Sequence, residues 1–196
     1  MEEKVIRVMI VEDDRDFVYL IRKSLDKIPE ISIVSVCTGK EKAVKEACRT
    51  RPDIVLMDLN LGNSSMDGIL ASREIRILTD ARILILTADD SPDMVLKAAK
   101  EAFASGYLFK NQMYLLAENI MALWEGYTAQ EYLIASAALS CLSEAEMAVF
   151  QIMMGKEVLL RSSPKTIANQ KTRILKKLGL ENQKELRHIF RLFQEK

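Results

Sequence analysis

Val5-Ile6-Arg7-Val8-Met9-Ile10-Val11-Glu12-Asp13-Asp14 is the stretch that decides the fold of this chain. A β-branched apolar run ends abruptly in three acids, and Phe17, Leu20, Ile21, Leu25 and Ile28 then recur at helical spacing. The pattern reads strand, loop, helix, and it repeats. Residues 31–36 form the next apolar run; Gly39 then opens a helix over 40–49 with Ala43, Val44, Ala47 and Cys48 on one side, and Pro52 stops it. Residues 54–57 end at Asp58 and lead through a polar loop at 60–65 to a helix near 69–78. Residues 83–86 end at Thr87, and Ser91-Pro92 starts a helix to about 105. Residues 107–109 end at Lys110 before a helix over about 113–124.

Five uniformly apolar strands, each followed by a helix, require a parallel sheet covered on both faces. The expected architecture is a doubly wound α/β domain with strand order 2-1-3-4-5. Ligands of such sheets sit beyond the carboxyl ends of the strands. Glu12, Asp13, Asp58, Thr87 and Lys110 all fall at that edge.

Composition narrows the alternatives. The 196 residues are 49% hydrophobic, which excludes disorder and allows one domain or two small ones. No apolar run approaches the ~20 residues that span a bilayer, and the first residues lack the pattern of a secretory signal. The expected setting is cytoplasmic, without membrane attachment. Three cysteines (Cys37, Cys48 and Cys141) and a single histidine, His188, offer neither a disulfide framework nor a zinc site.

The net charge of zero hides two unlike pieces. Residues 1–141 carry 17 basic and 22 acidic side chains, whereas residues 142–196 carry 11 and 6. An acidic front suits phosphate or cation chemistry, and a basic tail suits a polyanion. From Tyr127 the pattern becomes wholly helical. Thr128 caps a connector helix through about Cys141, with no Pro/Gly/Ser linker, so the two parts are expected to lie close. Ser143-Glu144-Ala145-Glu146 is a capping box. Ser163-Pro164 opens a helix to Leu178 that Gly179 closes, and a last helix starts near Gln183 with Leu186, Ile189, Phe190 and Phe193 inward. The expected division is the doubly wound α/β domain over 1–125, a connector over 126–141 and a small all-α helix-turn-helix domain over 142–196.

Glu12, Asp13 and Asp58 supply hard oxygen ligands suited to Mg²⁺, which relieves the repulsion among crowded carboxylates. A carboxylate can also attack phosphorus and carry an acyl phosphate. Asp58 is the candidate nucleophile because it closes the central strand, next to the strand that carries Glu12 and Asp13. Lys110 contributes a positive point charge and Thr87 a hydrogen bond to a phosphoryl oxygen. Any one of these acids would pass for a solvated loop residue; the three acids in register with Thr87 and Lys110 do not. Asp14, Asp16, Asp89 and Asp90 read as solvated, although Asp89, two residues past Thr87, has the spacing to face the phosphoryl group.

Residues 4–125 resemble a receiver domain of a two-component response regulator. The motifs are Val11-Glu12-Asp13-Asp14, Leu56-Met57-Asp58-Leu59-Asn60, Leu86-Thr87-Ala88 and Gly106-Tyr107-Leu108-Phe109-Lys110. The resemblance implies that Asp58 takes its phosphoryl group from a sensor histidine kinase. It also implies that the Asn60 carbonyl joins Glu12, Asp13 and Asp58 around Mg²⁺, and that Thr87 and Tyr107 move inward together as a switch. Such a chain is a phosphotransfer acceptor with slow self-dephosphorylation and not an enzyme with turnover. Gly62 and Asn111 stand where the family usually has proline, and the loop from Asn60 to Asp67 is about two residues long for the pattern. Tyr107 also reads simply as a half-buried strand aromatic.

The tail is similar to the LuxR-type DNA-binding domain of the NarL/FixJ subfamily, on Leu142-Ser143-Glu144-Ala145-Glu146, Ser163-Pro164-Lys165-Thr166-Ile167 and residues 174–180. On the wheel of 164–178, Ile167, Ile174 and Leu178 point one way, and Lys165, Asn169, Thr172, Arg173 and Lys176 the other. That face fits a recognition helix in the major groove of double-stranded DNA, with Lys and Arg on phosphates and Asn169 at a base edge. Ala145, Ala168 and Gln170 replace residues usual in the family. The chain is also about five residues short between Gly155 and Ser163, which leaves only a stunted scaffold helix over 156–161. The leading expectation is transcription regulation by a phosphorylation-dependent homodimer. A phosphorylation-gated module whose tail binds protein or RNA is the alternative, and a phosphohydrolase using Asp58 lacks a second general acid.

Overall fold

A computed structural model describes residues 5–62, 64, 66–159 and 162–194. Strands β1 (Ile6–Val11), β2 (Ile31–Cys37), β3 (Ile54–Asp58), β4 (Arg82–Thr87) and β5 (Gly106–Phe109) form one sheet in the order β2-β1-β3-β4-β5, with every ladder parallel. Strand side chains alternate between two apolar cores. Met9, Val11, Val55, Met57, Ile83 and Ile85 face α2 (Lys40–Thr50), α3 (Asp67–Leu78) and α4 (Pro92–Glu101). Val8, Ile10, Ile54, Leu56, Leu84 and Leu86 face α1 (Arg15–Leu25) and α5 (Leu116–Glu125). Burial on both sides is why these strands are continuously apolar. Asp14 caps α1 by accepting from the N–H groups of Asp16 (2.9 Å) and Phe17 (3.2 Å), so its carboxylate serves the helix.

Some boundaries differ from the sequence pattern. The segment after β5 begins as a 3₁₀ helix, Lys110–Leu115, with Gln112 off helical geometry (φ −104°, ψ 26°), before α5 starts at Leu116. The helix opened by Pro92 stops at Glu101, well short of 105, and Phe103 adopts a left-handed conformation (φ 53°) that turns the chain into β5.

The segment expected to be the connector forms α6 (Ala129–Leu139), capped by Thr128. It is followed by α7 (Glu144–Met153) with its capping box, α8 (Pro164–Leu178) capped by Ser163 and closed by left-handed Gly179, and α9 (Gln183–Ile189). The expected scaffold helix is absent from its described part: residues 156–159 are irregular, and 160 and 161 lie outside the described residues. Too few residues separate Gly155 from Ser163 to nucleate and cap another helix.

The tail is docked on the α3–α4 side of the sheet. One apolar cluster joins Phe103 from the end of α4, Ala135, Ala138 and Leu139 of α6, Val149, Phe150 and Met153 of α7, Ile174 and Leu178 of α8, and Phe190, with Ile77 of α3 packed against it. The Phe190 ring meets those of Phe103 and Phe150 edge-on, at 5.8 and 5.5 Å between centroids. The connector helix thus belongs to the tail's core and rests on the sheet domain.

Candidate functional site

The carboxyl edge of the sheet brings the predicted pocket residues together. Asp58, the last residue of β3, is 4% exposed, and Glu12, just past β1, is 2% exposed. Lys110 Nζ lies 2.7 Å from Glu12 Oε2 and donates to Asp58 Oδ2 at 3.0 Å, while sitting 4.4 Å over the Phe17 ring. Asp58 Oδ1 accepts from the Asn60 N–H at 3.3 Å, and Glu12 Oε1 from the Asp14 N–H at 3.2 Å. Burial pushes the Glu12 carboxyl up to about 7; the Lys110 hydrogen bond opposes this and the neighbouring Asp58 charge adds to it. Burial alone pulls the Lys110 ammonium down, but its hydrogen bonds to Glu12 and Asp58 outweigh that, and the net shift is upward.

One oxygen from each of Glu12, Asp13 and Asp58 can be chosen so that all three lie within 4.8 Å of one another. Ligands of an octahedral Mg²⁺ lie about 3.0 Å apart when adjacent and about 4.2 Å apart when opposite, so the carboxylate set has the right chemistry for that ion and would draw together to hold it. Asp13 is the exposed member, and its Oδ2 accepts from the Gly62 N–H at 2.8 Å. Gly62 has φ +64°, a conformation closed to proline, and proline has no N–H to donate. The departure at this position therefore creates a hydrogen bond that orients Asp13.

Thr87 and Tyr107, the pair expected to act as a switch, are placed as follows. Thr87 is fully buried, and its Oγ1 accepts from the Asp89 N–H at 3.1 Å. Tyr107 is half-buried against the α2–α3–α4 core, with its hydroxyl buried and without a hydrogen-bond partner among the described residues. Burial and the Asp89 charge push that hydroxyl up to about 12. Asp89 does not turn its carboxylate to the pocket through any bond observed; its Oδ1 accepts from the Ser91 N–H at 2.9 Å, at the start of α4.

On α8, Lys165, Asn169, Thr172, Arg173 and Lys176 are all exposed, opposite the buried Ile174 and Leu178. The Thr172 hydroxyl donates to the Ala168 carbonyl at 3.3 Å. Lys177 is turned away from this face, pairing with Glu146 at 2.6 Å and donating to the Cys141 carbonyl at 3.0 Å. These α8 residues form a surface of their own on a different element from the acid pocket.

Several residues that shape these sites escape a motif reading. Gly68 sits at the start of α3, where a Cβ would collide with the Asp58 carbonyl oxygen and lie 2.5 Å from Leu59 Cα. Gln130 pairs its side-chain amide with the β5 edge, accepting from the Tyr107 N–H at 3.1 Å and donating to the Tyr107 carbonyl at 2.9 Å. Arg76, buried on α3, donates to the Ala81 carbonyl at 3.1 Å and the Ile189 carbonyl at 3.3 Å. His188 Nε2 lies within 3.0 Å of the Arg76 and Thr79 carbonyls, and Arg191 pairs with Asp80 at 2.9 Å. Arg76 carried a signal in the sequence: it stands on the helical row of Ile69, Ser72 and Ile75, which a solvated charge would avoid.

The response regulator receiver domain model matches residues 8–120. Response regulator UvrY of Escherichia coli (strain K12) is 30% identical over 209 residues, covering 94% of this chain and 93% of that protein. Transcriptional regulatory protein LiaR of Bacillus subtilis (strain 168) is 31% identical over 140 residues, covering 70% of this chain and 65% of that one. Among solved structures, a two-component response regulator of the LuxR family from Aurantimonas sp. SI85-9A1 is 34% identical, with TM-score 0.58, over 68% of this chain and 95% of that chain. The RcsB response regulator of Salmonella typhimurium shares the fold along 98% of this chain and 100% of its own, at 23% identity and TM-score 0.58. With its receiver-type sheet, its edge of acids and its helical tail, the chain belongs to the two-component response regulators, in their NarL/FixJ (LuxR-type) branch.

Proposed function

We propose that Asp58 accepts a phosphoryl group from a sensor histidine kinase and that the helical tail regulates transcription by binding double-stranded DNA. The observation that carries this reading is Lys110 Nζ bridging Glu12 and Asp58 at 2.7 and 3.0 Å, beside Asp13. Asp58 Oδ attacks phosphorus, and the phosphorus–nitrogen bond of the donor histidine breaks with its electron pair leaving on nitrogen. Lys110 holds the nucleophile, then neutralises charge on the acyl phosphate. Glu12, Asp13, Asp58 and the Asn60 carbonyl would hold Mg²⁺, which supplies charge neutralisation for the incoming phosphoryl group. Thr87 donates its hydroxyl to a phosphoryl oxygen after giving up the Asp89 N–H. Hydrolysis by water returns the resting state slowly, and no substrate is turned over.

The signal is a population shift, since the phosphoryl group favours the state in which Thr87 and Lys110 both reach it. Tyr107, inward with its hydroxyl unpaired at a cost of about 1–3 kcal/mol, is the other half of that switch. We assign residues 1–125 to the receiver, 126–141 to the connector and 142–196 to the tail. Lys165, Arg173 and Lys176 would contact phosphates, with Asn169 and Thr172 nearer the bases. The phosphorylated form acts as a homodimer in the cytoplasm; no helix among the described residues is long and apolar enough to cross a membrane.

Labelling with acetyl phosphate and Mg²⁺ tests the acceptor: Asp58→Asn should abolish the label. A second reading, that the tail binds protein or RNA, draws on the irregular backbone of the described residues 156–159 between α7 and α8. Titration with duplex DNA at two salt concentrations separates them. Contacts to several phosphates predict a steep loss of affinity with salt, and no binding in either state favours the second reading.

A further inference from the structure

α3 joins the acid pocket to the tail. At one end, Gly68 N–H donates to the Leu59 carbonyl at 3.3 Å, and Gly68 itself lies so close to the Asp58 and Leu59 backbone that no Cβ fits between them. Further along the same helix, Arg73 extends to the exit of α8. Its Nη2 donates to the Leu178 carbonyl and, at 2.7 Å, to the Gly179 carbonyl, and its guanidinium carbon lies 4.4 Å over the Phe103 ring. Arg73 thus occupies the negative end of the α8 dipole and meets carbonyls left unpaired where the helix ends. Gly179 completes the fit: it has φ +61°, and a Cβ there would meet Arg73 Nη2 at 2.5 Å. One turn on, Arg76 holds the Ile189 carbonyl of α9.

Meanwhile Lys165, Asn169, Thr172, Arg173 and Lys176 remain exposed with the tail docked. Phosphorylation therefore need not unmask that face, and a change in the pose of α8 is one way for it to act alongside dimerisation. We infer that Arg73 is a positioning residue that ties α8 to α3, so that the state of the Asp58 pocket sets the pose of α8 through this helix, alongside the Tyr107 strand. This rests on the reading of Asp58 as phosphoacceptor given above. A packed helix that contacts both sites gives such coupling a contiguous physical route.

The experiment uses the full chain with acetyl phosphate and Mg²⁺. It follows Asp58 labelling and, separately, hydrogen exchange of the amides of residues 175–180. Labelling is expected to change exchange at the α8 exit of the parent by about fivefold or more, the scale of a typical coupling free energy. Arg73→Ala should label like the parent and lose that response, and Arg73→Lys, with one compact charge, should restore part of it. Gly179→Ala, which displaces the guanidinium from the tail side, should also lose it, and the double variant should be no worse than either single one. A full phosphorylation-dependent response in Arg73→Ala would overturn the inference, as would a labelled parent whose α8 exit does not respond. A parent that fails to label overturns the Asp58 assignment itself and the inference with it.

Discussion

Replacing Arg76 with methionine tests whether the docked tail depends on a buried charge. Arg76 is 3% exposed, and it bonds the Ala81 carbonyl on its own side of the interface and the Ile189 carbonyl on the other. Burial pulls its pKa down to about 10, so it stays charged at neutral pH. Charge-assisted hydrogen bonds contribute about 1.5–3 kcal/mol each, and two at 3.1 and 3.3 Å amount to about 3–6 kcal/mol. Methionine keeps the aliphatic stem and removes both donors, and it leaves the buried Glu131 carboxylate without its neighbouring cation. The expected loss is about 3 kcal/mol, or about 6–12 °C in Tm for a chain of this size. Urea unfolding followed by circular dichroism measures it, with the slope checked against the parent. Arg76→Met combined with Glu131→Gln should recover only the part of the loss that comes from the stranded Glu131 carboxylate, because the two carbonyl bonds stay lost. A loss below about 1 kcal/mol, or a double variant no better than the single one, would mean that these groups do not hold the interface together.

Four further outcomes follow from the geometry. Lys110→Ala should slow Asp58 labelling by about 10- to 100-fold, the equivalent of one charge-assisted hydrogen bond, as measured by the rate of acyl-phosphate formation. Gly68→Ala should cost about 2 kcal/mol or more and impair labelling as well, because backbone of the acceptor strand occupies the space its Cβ needs; unfolding and labelling check the two effects separately. Gln130→Ala should cost about 1–3 kcal/mol for two lost backbone contacts and speed hydrogen exchange along β5, read at the Tyr107 amide. Lys177 holds the Glu146 carboxyl down to about 2, so this acid stabilises the fold above its unfolded value near 4.5 and loses that contribution as pH falls from 4.5 towards 2. Lys177→Met should flatten the pH dependence of Tm across that window.

Lys110 illustrates what a linear reading can reach. It stands 52 positions from Asp58, yet the two meet because each directly follows or ends a strand of one parallel sheet, and parallel strands in a known order bring their carboxyl ends to one edge. Glu12, Asp13, Asp58 and Thr87 were legible on the same ground. The exposed face of α8 was legible too, since helical spacing alone separates Ile174 and Leu178 from Arg173 and Lys176. The scaffold helix was not, because the shortened segment carries no periodicity from which to judge whether a turn survives.

Periodicity, strand-closing residues and caps are local properties, and they determined the sheet, its edge of acids and the order of the helices. How the tail sits on the sheet domain lay outside their reach. Arg73 on the carbonyls of Leu178 and Gly179, Gln130 on the Tyr107 backbone and Arg76 on the Ile189 carbonyl all join a side chain to main-chain atoms, many residues away in two of the three cases. Every residue offers the same carbonyl and nearly every one the same N–H, so such a bond leaves no mark in the partner's identity. Only the folded chain chooses which of those identical groups an arginine or an amide meets.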